Sequence, residues 1–205
     1  MSDLKLSTLS VLLGLVVGLP SVFGLLKPKS FAEAARKFPR YTPAGYFLIL
    51  LGTLWFLYYL KLESVSDFAN LKKYFYFLFS AVGLGTCLFV RDFLPVRGLA
   101  IVMMLLAKLM VDTARWVDSD WRLVISAWAY ALIVAGIWFT VSPWRLRDLL
   151  NWSVATEART RLTSGARVAF GLFVIVLGLT AFKAAERKAS PAPQASLPPR
   201  AAAVL

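Results

Sequence analysis

The stretch GLAIVMMLLAKLMVDTARW, residues 98–116, decides the fold. Gly98 to Ala107 is an uncharged run between Arg97 and Lys108, and Asp112 and Arg115 follow Lys108 at the fourth and seventh positions. Ten helical residues reach about 15 Å, half of a hydrocarbon core of about 30 Å. A helix that crosses a bilayer here must carry Lys108 into the membrane and bring Asp112 near its far boundary. The spacings put Lys108, Asp112 and Arg115 on one helix face, so a Lys108–Asp112 ion pair is expected. An unpaired lysine at a helix centre costs about 2.5 to 3.5 kcal/mol on insertion scales, which a local acid relieves. Such a charge cluster reads as a gate, an anion contact or a docking point for a partner helix. The bland alternative is a lysine that snorkels to the interface along its aliphatic stem.

The composition around this stretch points the same way. Of 205 residues, 59% are hydrophobic and the mean hydropathy is +0.69, more apolar than a soluble domain, where roughly half the residues are apolar. The formal net charge of +12 is spread between apolar runs, not gathered in one stripe. It therefore fits an anionic lipid surface, at about 1 kcal/mol per cation, and argues against nucleic acid. The single cysteine, Cys87, lies inside an apolar run, and histidine is absent. Neither a metal nor a cofactor is expected.

Spanning helices need about 20 predominantly apolar residues. Six stretches meet that test, near 7–26, 43–60, 74–91, 95–114, 121–142 and 166–183. The fold class is therefore all-α, a polytopic integral membrane protein with one helical domain over residues 1–183. The first stretch follows Lys5 as a signal peptide would, but it runs on to Leu26 and reads better as a retained span. Residues 184–205 are rich in Pro, Ala and Ser and read as a disordered tail. Trp55, Tyr58 and Tyr59 with Lys61, and Tyr74 and Tyr76 with Lys72 and Lys73, mark span ends as interfacial belts.

Two connectors read as interfacial amphipathic helices. In KPKSFAEAARKFPRYTP, Ser30 and Glu33 have capping-box spacing, Phe31, Ala34, Ala35 and Phe38 form one face, and Arg36, Lys37 and Arg40 flank it. In SPWRLRDLLNWSVATEARTRLTSGAR, Leu146, Leu149, Leu150, Ser153 and Val154 follow helical spacing, with Arg145, Arg147, Arg159 and Arg161 supplying charge for lipid headgroups.

Each connector has a proline just after its first span, Pro28 or Pro143, and each second span has glycines seven residues apart, Gly45 with Gly52 and Gly171 with Gly178. This suggests a repeated hairpin unit. Gly14 and Gly18 form a G-x-x-x-G pair, and with the other four glycines they mark close helix packing. Pro20 is expected to kink the first span. Basic residues are almost evenly divided between the two sides; weighting the two basic connectors puts these in the cytoplasm and both termini outside. The segment from Pro143 to Phe182, PWRLRDLL followed by a glycine-spaced helix, resembles small bacterial inner-membrane proteins. That resemblance implies the bacterial cytoplasmic membrane and says nothing of an activity.

Three functions remain. A non-catalytic membrane subunit, assembled with other membrane proteins or with itself, fits the packing glycines and the charge pair. A small transporter would use a path lined by Lys108, Asp112 and Thr86, Ser80 or Ser126, and would favour anions. A lipid-acting enzyme needs a positioned acid and nucleophile, and the acids Asp92, Asp112, Asp118, Asp120, Asp148 and Glu157 show no such pairing.

Overall fold

The computed structural model describes residues 5–62, 71–90 and 92–189, and every regular element among them is helical. The helices are α1 (Leu6–Leu26), α2 (Pro28–Lys37), α3 (Thr42–Leu62), α4 (Lys72–Phe89), α5 (Leu94–Ala114), α6 (Arg122–Val141), α7 (Trp144–Ser153), α8 (Glu157–Leu177) and α9 (Lys183–Ala189). A 3-10 turn, Phe38–Arg40, follows α2, and a π-helical turn, Gly178–Phe182, joins α8 to α9 without a break. Five helices are long and apolar enough to cross a membrane: α1, α3, α5, α6 and the continuous helix Glu157–Ala189. Their length and composition are those expected of an integral membrane protein. The helix α4 stands where another span is expected, but it is 18 residues long and opens on Lys72 and Lys73.

Helix α1 lies antiparallel against α8, with Gly14 on Gly171 and Gly24 on Ser164. Helices α3 and α5 run parallel: Gly45 meets Leu94 and Pro95, and Gly52 meets Ile101. The chain returns between them through α4, which lies antiparallel to α3 with Gly83 on Thr53 and Phe79 on Phe56. Helix α6 runs antiparallel to α5, with Gly136 against Met104. One apolar cluster holds the end where α1 begins: Leu6, Leu9 and Leu13 pack with Met110 and Ala114 of α5, Ile125 and Ala129 of α6, and Val174 and Phe182. A second cluster holds the opposite, connector end, where Val96, Ala100, Phe139 and Leu146 close over Phe38. Larger rings bridge the wider gap between α6 and α8, with Trp128 edge-on to Phe170 at 4.9 Å.

Several local expectations change. Helix α2 starts at Pro28, with proline at its first position, so Ser30 and Glu33 lie inside the first turns and do not form a capping box. Its expected apolar face is incomplete, because Ala34 is exposed while Phe31, Ala35 and Phe38 are partly covered. The second connector is not one long helix. It breaks at Val154–Thr156, and Thr156 starts α8 by accepting the Arg159 amide N–H at 3.2 Å on its hydroxyl. Arg159 and Arg161 therefore belong to the first turns of α8, and the helix that carries the expected apolar stretch 166–183 starts further back, at Glu157. Helix α1 continues through Pro20 to Leu26. The chain stays helical to Ala189, beyond the expected start of the tail at 184, and the rest of the expected tail lies outside the described residues. In both expected hairpins each span finds its main partner elsewhere, α1 with α8 and α3 with α5.

Candidate functional site

The register between α3 and α5 places the charge pair. Each seven-residue step along α3 meets a seven-residue step along α5, and two close glycine contacts are followed by a third pair of larger residues. Gly45 sits on Leu94, Gly52 on Ile101, and Tyr59 under Lys108, whose Nζ is 5.0 Å from the ring centroid. A lysine that close to an aromatic face gains a cation–π attraction. Trp55 stacks beside Tyr59 with centroids 6.4 Å apart.

Lys108 Nζ donates to Asp112 Oδ2 at 2.7 Å, one helical turn along α5. Their side chains remain 49% and 45% exposed, while the neighbouring Ala107, Leu109 and Met110 are buried. The pair thus lies on the flank of the bundle, not inside its core. From Leu94, the first residue of α5, Lys108 is about 21 Å along the helix axis, in the last third of the helix.

The third member of the expected cluster stands apart. Arg115 caps the end of α5, its side chain is exposed, and its carbonyl accepts from Arg122 Nη1 at 3.4 Å. Among the described residues it forms no ion pair with Asp112. Thr86 is also remote: its hydroxyl donates to the Val82 carbonyl, and it adjoins Cys87, which packs with Ile49 and Leu94 at the connector end. No three acidic or cysteine side chains among the described residues gather where a metal could be held.

At the connector end the basic residues divide into two groups. Arg36 Nη2 donates to the Val154 carbonyl at 3.0 Å, which ties α2 to the end of α7. Arg147 binds Asp148 at 2.9 Å and lies over Phe93, and Arg159 lies over Trp152 at 5.5 Å. Lys37, Arg40, Arg145 and Arg161 are exposed. Arg161 lines a cavity of about 270 Å³ with Lys27, Lys29 and Glu157, and Lys29 pairs with Glu157 at 3.4 Å.

The glycines fall into distinct roles. A Cβ on Gly14 would stand 2.5 Å from the Gly171 carbonyl oxygen, one on Gly171 2.8 Å from the Gly14 oxygen, and one on Gly178 2.9 Å from the Ser7 oxygen. On Gly45 a Cβ would meet Leu94 and the Pro95 nitrogen at 2.9 Å, and on Gly52 it would meet Ile101 at 2.8 Å. Gly18 differs, since a Cβ there would point into open space; its contribution is the backbone that Gly171 approaches. Gly24, Gly83, Gly98 and Gly136 are close-packed as well and went unmarked by the sequence.

Sequence reasoning also missed Tyr59, read as an interface aromatic, although it extends the seven-residue spacing of Gly45 and Gly52. It missed Glu186, whose carboxylate accepts from the Ser7 amide N–H at 2.9 Å and the Ser7 hydroxyl at 2.7 Å. Comparison of the chain with protein-family models, curated proteins and solved structures finds no match.

Proposed function

We propose that this protein is a non-catalytic subunit of a membrane complex, and that it docks another membrane-embedded chain, or a second copy, on the α3–α5 flank around Tyr59, Lys108 and Asp112. The observation that carries this reading is an ion pair on a membrane-crossing helix with nearly half of each side chain uncovered by its own bundle. Hydrocarbon solvates such a pair poorly, whereas a polar group on a neighbouring helix satisfies it. The reading includes α4 as a sixth crossing, because α3 and α5 run parallel and the chain between them must regain the connector end. It also places Lys37, Arg40, Arg145 and Arg161 against anionic headgroups, with α2 and α7 at the membrane interface. A bacterial cytoplasmic membrane is the setting we infer.

Native mass spectrometry of the chain, extracted gently from its own membrane, tests the docking face. A stoichiometric partner or dimer present in wild type and lost in Lys108→Leu, with the monomer still folded, supports the reading. A complex indifferent to Lys108→Leu and Asp112→Asn removes the docking face. A partner-free chain that passes anions when reconstituted in liposomes, and stops when Lys108 is replaced, establishes transport in its place.

A further inference from the structure

At the end where α1 begins, the groove between α1 and the α8–α9 helix opens into a cavity of about 590 Å³. Its rim carries Lys5, Lys183 and Arg187, and its wall is formed by Val11, Leu12 and Leu179. All three cations are exposed, and among the described residues none forms an ion pair. The acid at the rim, Glu186, is already engaged with the Ser7 amide and hydroxyl, where it occupies the N-terminal end of α1. The rim therefore keeps an excess of positive charge directed at the cavity.

Depth orders these groups. Lys5 precedes α1, and Val11 and Leu12 follow about 10 Å further along the axis. On the other wall Leu179 lies one turn deeper than Lys183. Cations at the mouth above an apolar wall match an anionic headgroup above an acyl chain, and both walls belong to helices long and apolar enough to cross a membrane.

The π-helical turn Gly178–Phe182 sets this arrangement. In an unbroken α-helix the eight residues from Gly178 to Glu186 would turn the carboxylate about 80° away from the α1-facing side. A π turn accommodates about one extra residue and returns Glu186 to within about 20° of Gly178. Gly178 and Glu186 can then both face α1, and Lys183 and Arg187 flank the same groove.

We infer that this groove holds an anionic phospholipid, with its phosphate between Lys5, Lys183 and Arg187 and an acyl chain along Val11, Leu12 and Leu179. A zwitterionic lipid brings its own cation to the rim and forfeits most of the attraction. The site is separate from the docking face at Lys108 and does not depend on it.

The test uses the full chain in phosphatidylcholine nanodiscs offered phosphatidylglycerol, with retained lipid counted by native mass spectrometry. Phosphatidylglycerol should be retained over phosphatidylcholine, and replacing Lys5, Lys183 and Arg187 by glutamine should weaken retention roughly fivefold per cation. Leu12→Trp, at an exposed position, should weaken it by filling the acyl path with no change in charge. This second variant decides the matter if the glutamine variant fails to fold. Lys188→Gln, exposed on α9 but outside the lining of the cavity, should leave retention unchanged. The inference fails if retention survives the groove variants, if Lys188→Gln reduces it equally, or if inorganic phosphate displaces the lipid, which would make the site one for a soluble anion.

Discussion

Lys108 Nζ stands 5.0 Å from the centroid of the Tyr59 ring while it donates to Asp112 at 2.7 Å, so a residue of α3 and one of α5 hold the same cation. The asymmetry of this site yields the first prediction. Asp112→Asn leaves a lysine in the membrane without its carboxylate and should lower stability by about 1 to 2 kcal/mol, less than the value for a helix centre because Lys108 lies in the last third of α5. Replacing both Lys108 and Asp112 by leucine removes the charges together and should restore stability to near wild type. Thermal unfolding in detergent compares the two. A double variant no more stable than Asp112→Asn would show that the pair stabilises the bundle itself, against a role reserved for docking.

The glycine contacts predict opposite outcomes from one chemical change. In Gly14→Ala the new methyl meets a backbone oxygen of Gly171 at 2.5 Å, and backbone gives way only if the α1–α8 pair separates. A loss of about 1 to 3 kcal/mol is expected, in the range of core overpacking. Gly18→Ala places its methyl in open space, so better helix propensity should make it neutral or stabilising by up to about 1 kcal/mol. Matched melting curves decide whether these neighbouring glycines differ as described.

What could be read from the sequence and what could not follow from the range of the interactions involved. Membrane helices are legible because apolar length is a local property, and Lys108–Asp112 because both partners lie on one helix, four residues apart. Tyr59 reads as an interface aromatic and nothing more, because its contact with Lys108 depends on how two spans pack. Arg36 was read as a lipid contact because its partner, the Val154 carbonyl, lies 118 residues away. Gly18 shows the limit of a motif, since G-x-x-x-G fixes a face but not which glycine the neighbour approaches. The π turn left no mark in composition, and without it the sequence phase turns Glu186 away from α1.

The Arg36 clamp separates two residues that the sequence grouped together. Arg36→Gln should cost about 1 kcal/mol and speed amide exchange at the end of α7, because it frees the Val154 carbonyl. The adjacent Lys37 is exposed, and Lys37→Gln should leave stability within about 0.5 kcal/mol of wild type. If vesicle binding falls with Lys37→Gln alone while stability falls with Arg36→Gln alone, lipid contact and connector clamp are distinct functions of neighbouring positions. Equal effects on both measurements would refute the division.

The Glu186–Ser7 contact predicts opposite outcomes from a substitution and a deletion. Glu186→Ala removes the carboxylate that satisfies the Ser7 amide in the first turn of α1 and should cost about 1 kcal/mol, comparable to losing a helix cap. Hydrogen exchange should quicken at Ser7 to Ser10 and little elsewhere, since Leu9 and Leu13 still hold α1 in the apolar cluster. Deleting Thr180 removes the extra residue, lets the turn become regular α-helix and keeps Glu186 within about 20° of Gly178. That deletion should leave the Ser7 amide protected, and adding Glu186→Ala to it should expose Ser7 to Ser10 as the single substitution does. Exposure of these amides by the deletion alone would mean that the phase of Glu186 is not what the turn sets.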